Sequence, residues 1–442
     1  MHERPVYDEP APVWGRVIEA RREALLTEVR ALYHPAALPG LCPGGRLGLR
    51  SGPSREGSTV SLLAMPDWKA LRAEFPLLDR YIYLNACSLG PLPRAGQAAL
   101  QRYADDWDRE GTPVWFSEWL PLLGRFREKI AELLHAPAGS TAIAPSVTVA
   151  LTTLASGLPL PEGRDKVLIG ELDFPTIGHQ WLSRPGFEVE FVPSKDGMTI
   201  PPEAFAERMD EHTALVATTH LFYTTGYLQD VRAIADAAHA NGTLCLIDGY
   251  QTCGCVPLDV EEMGCDAFVG GCLKWLSGGP GNAFLYVRPD LLPDTRPQGT
   301  GWFATRQPFS FTLQQLDFAD DARRLETGTW AIPSHYAGLA ALELILEVGV
   351  SNIQERLRDL TGRILERCDE AGVKTFTPRE RERRCGIVTL ECDQPEEVEA
   401  MLHADGVIVD SRPGRIRLSP HWCVTDEELE RGMDLVLQHL PT

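Results

Sequence analysis

The sequence predicts an α/β protein, with a mostly parallel central sheet, helices on both faces and a smaller C-terminal α+β domain. Three observations predict it. Short apolar, β-branched runs recur between residues 166 and 288, with helical patterns between several of them; such alternation layers helices around a parallel sheet. After about residue 330 the pattern changes to two long helices, two strands and a last helix. The 442 residues are enough for two or three cores.

Taken in order, residues 1–35 hold an amphipathic helical pattern, "VWGRVIEARREALLTEVRALY". Residues 36–61 are rich in Gly, Pro, Ser and Arg. That composition buries too little apolar surface to offset chain entropy and reads as a linker. Residues 1–64 are therefore expected to be an extension, 65–330 a large domain and 331–442 the small one. The expected strands of the large domain are "KVLIG" (166–170), "EVEFVP" (188–193), "ALVATTH" (214–220), "TLCLID" (243–248), "DAFVG" (266–270) and "NAFLYVR" (282–288). The helical pattern "DVRAIADAAHANG" stops on Asn-Gly. In the small domain, "SHYAGLAALELILEVG" and "IQERLRDLTGRILERCDEAG" read as helices, "GIVTLEC" and "RIRLSP" as strands, and "DEELERGMDLVLQHL" as the closing helix.

Composition narrows the function. A net charge of −20 with no basic patch disfavours nucleic acid and anionic membrane as partners. No apolar run is long enough to span a bilayer and the N-terminus has no signal-peptide pattern, so a cytoplasmic location is expected. The 11 cysteines lack framework spacing and are expected to be free thiols. "CGC" at 253–255 fits a packed turn better than a metal site, and no metal is expected.

The chemistry gathers around "GGCLKWLSGGPG", where Lys274 sits in an apolar, glycine-rich run. Lysine is rarely buried without a partner or a task. Asp248 ends a buried strand, where open α/β sheets bind ligands. Lys274 follows 26 residues later, just past the next strand, so two neighbouring strand ends present an acid and an amine to one cleft. Pyridoxal phosphate needs this pair: an amine for its aldehyde and a carboxylate for its pyridine nitrogen.

The segment "IDGYQTCGCVPLDVEEMGCDAFVGGCLKWLSGGPGNAFLYV" resembles the cofactor segment of the class V aminotransferase superfamily of fold-type I pyridoxal phosphate enzymes. The resemblance runs over about residues 66–440 and is closest to the kynureninase branch. It is carried by "YIYLNACSLGPLP", "DFPT", "GGPG", "GTGWF", the "GT" at 328–329 and "RPGRIRLSP"; the "DG-Q" pattern is the desulfurase and selenocysteine-lyase version. The resemblance implies a Schiff-base role for Lys274, the pyridine nitrogen for Asp248 and the phenolic oxygen for Gln251. Phe174 would stack on the ring, and Thr148 with the Val147 amide would hold phosphate. Trp302 and Thr329 would reach the phosphate from a neighbouring subunit, hence a homodimer with shared sites. Arg417 would fork onto a substrate carboxylate.

The chain also departs from the branch. Leu273 stands where kynureninases carry a Tyr and desulfurases a His, so a proton donor is missing. Ile177 replaces the Asp after the F-P-T motif, and Ala304 and Thr305 replace a Gly-His pair. The loop "GVIVDSRPGRIRL" has no cysteine to carry a persulfide, and Cys385 and Cys392 only flank a strand. Cys87 lies near the expected site without an assigned role. The implied activity is a kynureninase-like or β-eliminating cleavage of an α-amino acid. Transamination or epimerisation is the alternative, and a non-catalytic cofactor- or partner-binding protein is the third reading.

Overall fold

The computed structural model describes residues 66–440; the expected extension over 1–64 lies outside them. The strands are β1 (Ile82–Tyr83), β2 (Thr141–Ala144), β3 (Lys166–Gly170), β4 (Glu188–Val192), β5 (Thr213–Thr219), β6 (Leu244–Asp248), β7 (Ala267–Gly271), β8 (Ala283–Val287), β9 (Val388–Glu391), β10 (Val407–Ile408), β11 (Asp410–Arg412) and β12 (Arg415–Leu418).

Seven of them form the central sheet in the order β2-β8-β7-β6-β5-β3-β4. The run from β4 through β7 is parallel, and β8 is antiparallel to both its neighbours. β3, β5, β7 and β8 are buried along their whole length, as strands covered on both faces must be. β4 is the edge and keeps Glu188 and Glu190 outward, with Glu190 salt-bridged to Lys166. The side chain of Asp230 caps the helix Val231–Ala240 by accepting from the Ala233 N–H, and Gly242 follows at a φ of 69°.

In the C-terminal part, β11-β12-β9 form an antiparallel sheet. The layer also recruits an early segment: β1 pairs in parallel with β10. The helix Ile332–Val348 packs on the helices Arg94–Glu110 and Leu120–Leu134. The stretch "TPVWFSEWLP" holds a π turn, Trp115–Trp119, that runs straight into the helix Leu120–Leu134. Its Trp119 stacks on Tyr103 and meets Trp115 edge-on. Among the described residues no single helix is long and apolar enough to cross a membrane.

Candidate functional site

Because β2 opposes β8 and β8 opposes β7, β2 runs in the direction of the parallel strands. The carboxyl ends of β2, β3, β5, β6 and β7 therefore open on one side of the sheet, and a cavity of about 180 Å³ lies there.

Behind β3, Asp173 accepts from the N–H groups of Gly170 (2.8 Å) and Thr219 (2.7 Å) and from the Thr218 hydroxyl (3.1 Å). It thereby ties the ends of β3 and β5 together. Burial raises its pKa to about 7 against the pull of these donors. Phe174 follows, exposed at the mouth of the cavity and edge-on to Tyr223.

Asp248 closes β6. One carboxylate oxygen accepts from the Tyr250 N–H at 2.8 Å. Nothing among the described residues donates to the other. Burial raises its pKa, opposed by that N–H and by Lys274. Gln251 is fixed at both ends: Trp275 Nε1 donates to its Oε1 at 3.2 Å, and its Nε2 donates to the Cys87 carbonyl at 3.1 Å. One N–H of that amide is left over for the cavity it lines.

Lys274 answers the question its apolar surroundings raised. Its side chain is enclosed yet open to the cavity, and it makes no hydrogen bond or salt bridge to any described residue. Its Nζ lies 4.3 Å from the Tyr250 ring centre and 5.7 Å from that of Phe174. Desolvation lowers its pKa to about 8, with Asp248 pulling upward and Arg417 and Arg412 pushing down. The loop behind it turns through Ser277, Gly279 and Gly281, at φ values of 56°, 78° and 92°. Gly90 presses on this loop from the other side and donates its N–H to the Leu273 carbonyl at 2.9 Å.

On the opposite wall, Ser146 caps the helix Val147–Gly157 by accepting from the Val149 N–H at 3.2 Å. Val147 and Thr148 line the cavity at that helix N-terminus, and the first N–H groups of a helix make a ready anion cradle.

Arg417, expected to meet a substrate carboxylate, is not among the residues that line the Lys274 cavity. It is buried, and its terminal nitrogens donate to the Tyr223 carbonyl (2.7 Å), to Ser88 Oγ (2.6 Å) and to Asp410. Its two terminal nitrogens are thus engaged by the protein, while its buried Nε has no acceptor among the described residues. Trp302 and Thr329 do not line the Lys274 cavity of their own chain. Trp302 stacks with Phe311 on an exposed aromatic surface, and Thr329 lies in a groove beside Trp107 and Trp330. Cys87 is buried and serves through its backbone, as acceptor to Gln251 and as donor to Ser419 Oγ.

Sequence reasoning missed Tyr223, Tyr250, Asp173 and the partners of Arg417. The signal for Tyr250 was its place two residues after the strand-end Asp248, on a turn that must border the same cleft.

A model of the aminotransferase class-V family matches residues 117–424. The chain belongs to the class-V aminotransferase family. This family member is 33% identical over 363 residues to the uncharacterized aminotransferase YcbU of Bacillus subtilis, covering 82% of this chain and 95% of that one. It is 30% identical over 375 residues to the kynureninase of Pseudomonas fluorescens, covering 81% and 88%. Among solved structures, the apo cysteine desulfurase of Thermococcus onnurineus superposes with a TM-score of 0.77 at 20% identity, covering 84% and 97%. The cystine C–S lyase C-DES, in complex with cysteine persulfide, superposes with a TM-score of 0.76 at 21% identity, covering 83% and 100%. These two establish the fold-type I architecture.

Proposed function

We propose that this family member is a pyridoxal phosphate enzyme acting on an α-amino acid with a free carboxylate, and that it cleaves beyond Cβ, kynureninase-like or as a β-eliminating lyase. One observation carries the reading. An amine with a lowered pKa, which makes no hydrogen bond or salt bridge to any described residue, shares a cavity with an Asp248 oxygen that accepts from no described residue. Buried polar groups are normally paired, so this pair is waiting for a ligand.

The residues fit the cofactor. Lys274 would hold its aldehyde carbon, the free oxygen of Asp248 its ring nitrogen and the spare Gln251 N–H its phenolic oxygen. Phe174 would cover a ring face, and the Val147 and Thr148 N–H groups would take the phosphate. When bound, the cofactor draws electrons from the bonds at the substrate's α-carbon. The chain's own part is to orient and to move protons. Lys274 would be the base and acid that moves the proton at the substrate's α-carbon. Trp302 and Thr329 serve the site if a second copy seats its aromatic surface against it. A homodimer is therefore part of the proposal, and the exposed Trp302, Phe311 and Leu313 are the surface it would cover.

Transamination is the second reading. It is favoured by Leu273, which supplies no proton beside Lys274, and by the name of the B. subtilis relative.

The test is anthranilate release from L-kynurenine by cofactor-loaded protein, with Lys274→Ala as the blank. Lysine-dependent release establishes the kynureninase-like reaction. No release, with turnover that requires a 2-oxo acid, establishes the transaminase. Release of pyruvate from sulfur amino acids establishes the eliminating lyase.

A further inference from the structure

Tyr250 lines the Lys274 cavity and touches two of its working groups at once. Its backbone N–H donates to Asp248 at 2.8 Å, and its ring centre lies 4.3 Å from the Lys274 amine. A flat group that reaches from the free Asp248 oxygen to that amine must therefore pass beside the Tyr250 ring. Of the charges that act on the amine, Arg412 and Arg417 are both tied to Asp410, and Asp248 lies beyond salt-bridge range. What the protein offers the amine at close quarters is aromatic.

The second aromatic group is Phe174, whose ring centre lies 5.7 Å from the amine. The amine lies over both rings, so Phe174 and Tyr250 bound one slot. Their centres are no further apart than these two distances together. A flat ring between them needs a gap of about 3.5–4 Å on each side, so the slot admits one ring and is too narrow for two. Both walls are held in place. Phe174 meets Tyr223 edge-on at 5.2 Å. Tyr250 lies against β7 at Gly271, where a Cβ would stand 2.8 Å from Tyr250 Cε2 and 3.3 Å from Ala283 Cα. The Tyr250 hydroxyl makes no hydrogen bond to any described residue, and burial raises its pKa, so it stays neutral. The face of the ring is what this residue presents.

We infer that Tyr250 is a cofactor-contact residue that covers the second face of the pyridine ring, so that Phe174 and Tyr250 clamp the ring between them. The inference rests on the pyridoxal phosphate reading above. A clamp of this kind holds the ring without help from a covalent link to Lys274.

The test therefore uses pyridoxamine phosphate, which carries the ring and the phosphate but no aldehyde for the lysine. The full chain, freed of bound cofactor, is titrated with it by calorimetry, and with inorganic phosphate by phosphorus NMR. Tyr250→Phe keeps the face and should bind pyridoxamine phosphate within about 2-fold of the parent. Tyr250→Leu keeps apolar bulk without the face and should weaken binding by about 5- to 10-fold. Gly271→Ala, which displaces the Tyr250 ring, should weaken it in the same direction. Inorganic phosphate should bind alike in the parent and both Tyr250 variants. A Tyr250→Leu protein that binds pyridoxamine phosphate like the parent overturns the clamp. So does a Tyr250→Phe protein as weak as Tyr250→Leu, which would give the contact to the hydroxyl. An equal loss of inorganic phosphate binding also overturns it, since it would mean a damaged cavity. A parent that takes up neither pyridoxal phosphate nor pyridoxamine phosphate brings down the underlying reading instead. Uptake of pyridoxal phosphate alone brings down this inference and spares that reading.

Discussion

Two buried acid–base groupings lie close together in this molecule, and they are built to opposite rules. Asp410, Arg417 and Ser88 are closed on one another, with three strong contacts among groups that have lost their water. Lys274 and Asp248 sit on neighbouring strand ends, influence each other's protonation, and make no contact within salt-bridge range. Desolvating a charge is costly, and a closed cluster offsets the cost with its own bonds. The open pair leaves it standing. Such a pair is the kind that a ligand completes, which is why the proposed function places the chemistry at the open grouping and leaves the closed one as framework.

The comparison is broken most directly at the open pair. Lys274→Ala should abolish turnover, by about 10³- to 10⁴-fold or more, in a protein whose circular dichroism and melting temperature match the parent. A folded Lys274→Ala protein with residual turnover within 10-fold of the parent would remove the lysine from the mechanism. Asp248→Asn should cost less, on the order of 10²-fold in kcat/KM, because it alters electrostatic support and leaves the amine in place. An unchanged rate constant would mean that no ring nitrogen is bound there.

The third prediction concerns the clip that joins the two groupings. The loop from Asn85 to Gly90 touches both: Ser88 donates to Asp410, the Cys87 carbonyl holds Gln251, and Gly90 donates to the Leu273 carbonyl. A Cβ at Gly90 would stand 2.0 Å from the Lys274 carbonyl oxygen and 2.7 Å from Ser277 Oγ. Gly90→Ala must therefore push the lysine loop away, and should lower stability by roughly 1–3 kcal/mol together with cofactor uptake. A thermal melt and a parallel loading assay check this; an unchanged melt would show that the loop yields freely.

Much of the open grouping was legible in the sequence because it depends on local order. β3, β5, β6, β7 and β8 fall within one residue of the apolar runs that announce them. Asp248 and Lys274 end or follow two of those runs, so the sheet alone brings them together. The closed grouping was not legible. Arg417 reads as an available fork until Ser88 arrives from 329 residues away. β1 and β10 are two residues each, and only their pairing makes them strands. The placing of Trp302 and Thr329 outside the cavity has the same cause. Their positions are set by aromatic packing among residues 302–311 and beside Trp330, where periodicity carries no information.

The smallest expected effect is also the one that reads both groupings at once. Only the neutral amine of Lys274 can capture an aldehyde. With its pKa lowered to about 8, about a tenth of the amine is neutral at pH 7 and half at pH 8. The rate at which apoprotein captures pyridoxal phosphate should therefore rise roughly 5-fold between those values and level off above pH 9. The sign of each neighbour is fixed. Asp248 favours the charged amine, so Asp248→Asn should move the midpoint down. Arg412 disfavours it, so Arg412→Gln should move the midpoint up. Opposite displacements, followed by absorbance during loading at stepped pH, would show that the closed cluster acts on the open pair through its field. Displacement by Asp248→Asn alone would show that the charge of Arg412 does not reach the amine.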